Sequence, residues 1–340
     1  MRILSNVRTT RSVSLAAWMV SVALVAACNS SPPKPDPEKM LEMHREQALG
    51  YYEAGALPQA EDQIRKGLDI APKDDQLKLM LGWVRQRRGG RDDLNVAEKV
   101  FRDLAPRKDY RALLGLAECL ERKGVLYVES AQKISEGKHQ TDAADPQKRA
   151  QELNLEAEKF WNEALTHYQE VLTLRPTEGQ AMNGMQRTCT LLGRLEDSLS
   201  WAEKLLAQSA SEIVFWEKQL KRTDLRAEEE AQMRGRLVDT RELCVATHNS
   251  AATQLVRLGR KSEAIAHLDS ALLLAPDMSA IYSRRGQLLF ELGRFEEASA
   301  NLDEFMRLSS LPFDDPAIQR ALATQAEAKR KLAALNASAK

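Results

Sequence analysis

The side chains with which this chain could do chemistry are five histidines, four cysteines and 49 aspartates and glutamates. Their spacing argues against a catalytic centre. His44, His139, His167, His248 and His267 are scattered, and no two stand four apart as a His-Glu-x-x-His zinc site requires. There is no Cys-x-x-Cys, no glycine-rich phosphate loop and no Gly-x-Ser-x-Gly nucleophile turn. The carboxylates are interleaved with lysine and arginine at helical spacing, the mark of solvated helix faces with local ion pairs. The reading is of a chain that is not an enzyme and needs no metal or dissociable cofactor. Nucleic acid is not an expected partner either. Arg2, Arg8 and Arg11 are balanced by no acid in the first 28 residues, so the rest of this formally neutral chain is slightly acidic.

One cysteine does stand where chemistry is expected. The three arginines precede an apolar run from Val13 to Ala27, too short to span a bilayer as a helix. A basic start, a short apolar stretch and small residues before a cut describe a secretory signal. The run ends Leu24-Val25-Ala26-Ala27-Cys28. This resembles the lipobox of bacterial lipoproteins, which implies cleavage before Cys28 and a covalent diacylglycerol and N-acyl lipid on that residue. An ordinary secretory cut after Ala27 also satisfies the small-residue rule. Residues 29–38 hold four prolines and are expected to be extended. At about 3.1 Å per residue they would hold the body roughly 30 Å from the membrane. Asn29 stands where inner-membrane lipoproteins often carry Asp. The resemblance therefore implies the periplasmic face of an outer membrane.

Cys119, Cys189 and Cys244 remain, an odd number, and burial as small apolar side chains is the expected role. A Cys189–Cys244 bridge is the alternative.

The elements that carry these residues repeat. A glycine is followed five on by a small residue, four later by a large apolar one, and eight later by proline. Gly55, Ala60, Ile64 and Pro72 make one copy, and Gly259, Ala264, Leu268 and Pro276 another. Gly293, Ala298 and Leu302 follow the same spacing, as do Gly193, Ser198 and Ala202. Ala97, Phe101 and Pro106, then Ala164, Tyr168 and Pro176, complete the set. The small residue recurs at 60, 97, 164, 198, 264 and 298, and two of the steps are 34 residues. Glycine supplies the backbone freedom of a helix C-terminus, and proline stops the second helix. The pattern resembles the tetratricopeptide repeat, whose period is 34. The resemblance implies an all-α superhelical solenoid of about six helix hairpins over residues 41–312. Residues 1–27 are the expected signal and 28–40 the lipidated tether. Residues 313–340 are the expected capping helix and tail.

Two steps exceed the period by about one helix pair. They mark helical insertions near 124–160 and 213–244, the first within a repeat and the second between repeats. The two hairpins should project from opposite edges of the solenoid.

In proteins of the resembled family the first helix of each repeat lines the concave face. That frame implies a partner-binding row of Arg45, Tyr52, Trp83, Arg87, Asn183, Arg187, Asn249, Thr253, Arg284, Gln287 and Phe290. Arginine, asparagine and rings suit an extended peptide. The two-carboxylate clamp of chaperone-binding members is not expected, because Leu79, Trp83 and Ala112 occupy some of its positions. The expected role is a membrane-anchored scaffold for a protein partner in envelope assembly, whether of pili, outer-membrane proteins or cell-wall machinery. A cell-wall glycan binder is the alternative, and a cryptic cell-wall enzyme a further one.

Overall fold

The computed structural model describes residues 36–138 and 145–338. The expected signal, Cys28, most of the tether, and His139 lie outside the described residues. Within them there are thirteen α-helices, one 3-10 turn and no strand. The helices pair in chain order. The pairs are α1 (Pro37–Glu53) with α2 (Leu57–Ile70), α3 (Asp75–Arg88) with α4 (Arg91–Leu104), and α5 (Tyr110–Ser135) with α6 (Pro146–Leu174). There follow α7 (Gly179–Leu191) with α8 (Leu195–Gln219), α9 (Ala227–Arg257) with α10 (Lys261–Leu274), and α11 (Ser279–Glu291) with α12 (Phe295–Leu308). Helix α13 (Pro316–Ser338) closes the row.

Local sequence explains the boundaries. Aspartates at 36, 74, 109 and 145 cap helix starts, and Asp74 Oδ1 accepts from the Leu77 amide at 2.7 Å. An N-cap carboxylate satisfies one of the amides that the first turn leaves free. Helix α1 begins at Pro37, so the expected extended tether is shorter than the reading to residue 38, or 40, allowed. Proline is accommodated in the first turn because it lacks an amide that would go unbonded there. At the tight turns within repeats, Gly259 and Gly293 have φ of +76° and +79°, a conformation that side chains with a Cβ rarely adopt.

The repeat frame is visible in burial. Ala60, Ala97, Ala164, Ser198, Ala264 and Ala298 are each fully buried, where the two helices of a pair cross. Ile64, Phe101, Tyr168, Leu268 and Leu302, one turn further on, are buried beside them. Three first helices carry glycine where a large ring lies against the backbone. A Cβ on Gly82 or Gly115 would overlap Phe101, and one on Gly184 would overlap Tyr168. Each large buried side chain contributes about 1.5–3 kcal/mol of transfer free energy, and no single pair could bury its own share.

Both insertions are lengthened hairpins. Helices α5 and α6 extend past their neighbours at the turn inside the repeat, with Tyr127, Ala131, Ile134, Ala150 and Leu153 packed between them. Helices α8 and α9 extend past the turns between repeats, where Phe215 and Trp216 flank the 175–180 segment and Val238 flanks Leu274–Met278. The two tips therefore lie at opposite edges. Cys119, Cys189 and Cys244 are buried free thiols, so the alternative Cys189–Cys244 bridge is not formed. Burial pushes the Cys119 thiol up to about 12.

Candidate functional site: the row of first helices

Neighbouring first helices touch one another, α1 with α3, α3 with α5 and α5 with α7, while the second helices stand further apart. The array therefore bends toward the first helices, and their outward side chains share one concave face. The sequence-derived row lies on these helices, but its members do different things.

Tyr52 and Arg87 form a unit. The Arg87 guanidinium lies 5.2 Å over the Tyr52 ring and donates to the Tyr52 carbonyl at 2.8 Å, joining α1 to α3. Arg45 instead pairs with Asp74, the cap of α3, and with Glu42 at 2.8 Å. Trp83 is half-buried and turns its edge to Phe101 at 5.4 Å, so it serves as wall. Asn183 is half-buried on α7 and has no hydrogen-bond partner among the described residues.

Arg187 reaches back to α5. Its Nε and Nη2 donate to the two oxygens of Glu121 at 2.8 and 3.0 Å. Glu121 is buried and also accepts from the Tyr168 hydroxyl at 2.8 Å and the Thr188 hydroxyl at 3.3 Å. Burial is the largest single influence and would lower the Arg187 pKa, but its bond to Glu121, the Glu121 charge and the nearby Tyr168 and Glu118 together outweigh that and raise it. One turn earlier, Glu118 is raised by burial although the Gln86 amide donates to it at 2.8 Å.

At the C-terminal end, Arg284 of α11 donates to Asn249 Oδ1 at 2.7 Å, to the Asn249 carbonyl at 3.3 Å and to Thr253 Oγ1 at 2.8 Å. Asn249, Thr253 and Arg284 are thus one cluster. Gln287 is exposed on the same helix. Phe290 meets Phe295 edge to face and lies 4.8 Å beneath the Lys331 ammonium of α13. Helix α13 was expected to hide the open end of the last repeat. It also lines the groove as a further first helix, and Ala317, Arg320 and Ala321 face Arg284 across a cavity of about 630 Å³.

The frame did not disclose the polar ladder between first helices. Gln186 donates to Ser250 at 2.6 Å, and Gln254 to Thr190 at 3.1 Å. Gln86, Glu121, Gln186 and Gln254 are all buried. A signal was present: Glu118 interrupts, and Glu121 ends, a run from Ala112 to Leu120 that is otherwise apolar, and charges in such company are seldom buried without partners. The ladder holds the curvature of the face and leaves Arg87, Asn183, Gln287 and the α9–α11–α13 groove open to a ligand. Among the described residues no three histidine, cysteine or carboxylate side chains gather as a metal site would need.

No curated protein matches the chain. Several solved structures are similar in fold. One is a thermophilic TPR protein of Thermus thermophilus, 17% identical over 75% of this chain and 99% of that one, with a TM-score of 0.44. Another is pilF of Pseudomonas aeruginosa, 15% identical over 84% and 98%, with a TM-score of 0.49. A third is the TPR2AB domain of yeast Sti1 in its pHSP90 complex, 13% identical over 86% and 99%, with a TM-score of 0.29. Residues 250–304, from within α9 into α12, match the family model of the tetratricopeptide repeat, and the described chain folds as an all-α solenoid of that kind.

Proposed function

We propose that this protein is a lipid-anchored scaffold of the cell envelope that holds a segment of a partner protein along its concave row of first helices. The observation that carries the reading is the row itself. Five first helices are cross-linked by buried polar side chains into a curved wall whose outer positions carry arginine, asparagine and glutamine. Stacked helix pairs of this class present extended binding surfaces of that shape. The anchor is Cys28 after Leu24-Val25-Ala26-Ala27, and Asn29 favours the outer membrane. A glycan binder would need free ring faces along the groove. Tyr52 lies beneath Arg87, Trp83 packs on Phe101, and Phe290 lies beneath Lys331. The partner's role would be assembly of pili, outer-membrane proteins or cell-wall machinery.

The test is affinity capture of the full-length protein from crosslinked envelopes, with a Cys28→Ala strain beside it. The expected result is one discrete partner, recovered with the wild type and lost with the mutant, which also accumulates as unprocessed precursor. Normal processing of the mutant overturns the anchor. Recovery of no protein above background overturns the scaffold and makes cell-wall fragments the next ligands.

A further inference from the structure

We infer that the groove between α9, α11 and α13 is the anchoring subsite of the scaffold, and that it takes an internal acidic segment of the partner protein. This rests on the scaffold reading and names the chemistry of its ligand. Three arginines line the groove, Arg257 of α9, Arg284 of α11 and Arg320 of α13. Among the described residues none of the three is paired with a carboxylate. Arg284 is held by three neutral oxygens of Asn249 and Thr253. Arg257 has only the Gln254 amide oxygen at 3.4 Å, and Arg320 has no partner there. Several other arginines differ. Arg285, next in the chain, pairs with Asp269, and Arg45 and Arg187 of other first helices pair with Asp74 and Glu121.

The one carboxylate that lines the groove does not offset them. Glu291 is already neutralised by Lys261 at 2.9 Å. The groove therefore carries uncompensated positive charge over an apolar floor that includes Val256, Leu288 and Ala321. Arg284, fixed by neutral acceptors, keeps its charge and loses little freedom on binding a carboxylate, and Arg257 and Arg320 add charge that no carboxylate among the described residues takes up. Arg257 is the last residue of α9, Arg284 lies within α11, and Arg320 lies near the start of α13. Three cationic groups from three different helices line one groove, so several acidic side chains match its charge better than a lone chain terminus. The volume of about 630 Å³ admits a few side chains, some apolar against the floor.

The probe is a fluorescein-labelled, C-terminally amidated peptide of alternating Glu and Leu, read by anisotropy with the full-length chain in detergent. Its controls are the Gln-for-Glu peptide, a neutral peptide with a free terminus, and a short DNA duplex. The acidic peptide should bind alone among the four and weaken with added salt. The double variant Arg257→Gln/Arg320→Gln should bind it about tenfold more weakly, with unchanged helicity, since neither side chain is paired with a carboxylate in the fold. Equal binding of the Gln peptide, the free-terminus peptide or DNA overturns the inference, as does undiminished binding by the double variant. A photo-crosslinking residue at Ser283, and another at Asn183, separates this inference from the reading beneath it. A partner trapped at Asn183 and not at Ser283 leaves the scaffold standing and removes the acidic subsite. A partner trapped at Ser283 and released by the double variant supports both.

Discussion

Glu121 joins more elements than any other polar side chain described above. It ties α5 to α6 through the Tyr168 hydroxyl and to α7 through Arg187 and Thr188. Glu121→Ala strands the hydroxyls of Tyr168 and Thr188, both fully buried, and should lower stability to denaturant by about 2–4 kcal/mol. Arg187→Ala should cost less, because that side chain is 44% exposed, so water can take its place at Glu121, whose carboxylate keeps the Tyr168 and Thr188 hydroxyls. Equal losses in the two variants would mean that the pair, and not the buried hydroxyls, dominates. A second residue-scale effect depends on pH. His248 and His267 bring their Nδ1 atoms to 3.0 Å between α9 and α10. Burial, then the neighbouring ring, lowers His248 from 6.5 to about 4. Burial lowers His267 as well, while Glu203 and Glu263 act in the opposite direction. Both rings are therefore neutral in the fold at pH values where the unfolded chain already takes up protons. Stability is at its full value above pH 6.5 and falls as pH drops from there toward about 4. The melting temperature of the wild type should follow that course, and His248→Gln should flatten it. An unchanged slope in the variant would place the titration elsewhere.

At the scale of the helix pair, the position of tightest approach is the most sensitive. Ala264 is fully buried where α10 crosses α9. Ala264→Arg forces a long charged side chain into that contact and should cost about 3 kcal/mol or more, read as a fall in thermal midpoint. An unshifted midpoint would show the repeat register to be wrong there. The register was legible because it depends on residue size at fixed spacing. Six small residues and the helix-ending prolines mark it without knowledge of the partner helix. The Asp145-Pro146 start was legible for a similar reason, since a cap and its helix are neighbours in the chain. Pairings across the groove were not. Whether Arg187 is free or bound to Glu121 depends on how α7 stacks against α5, 66 residues back. The same holds for Arg284 against Asn249 and for Phe290 beneath Lys331. Arg320 was missed for another reason. The repeat frame treats the last helix as a lid, and only the packing of α13 against α11 and α12 makes it a wall.

The whole molecule is a row in which each helix packs chiefly on its neighbours in the chain. Its buried apolar clusters follow one another along the axis, one around α1 to α3, a larger one through α3 to α8, and one from α8 to α12. Stability in such an array is close to a sum over pairs and their interfaces, so damage at one end should stay near that end. Helix α13 tests this. It covers Leu302 and Phe305 of α12 with Ile318 and Ala321, and Gln325 bonds Asp303. Removing residues 311–340 exposes that face and takes away the Arg320 wall of the groove. Hydrogen exchange should then show lost protection in α11 and α12, less in α9 and α10, and none in α1 to α6. Uniform loss along the chain would mean that the array melts as one cooperative unit. Binding at the C-terminal groove would then be felt at the first repeat. Confined loss means that binding at one end leaves the N-terminal repeats unchanged, and in the proposed scaffold those repeats would serve only as a spacer for the C-terminal contact surface.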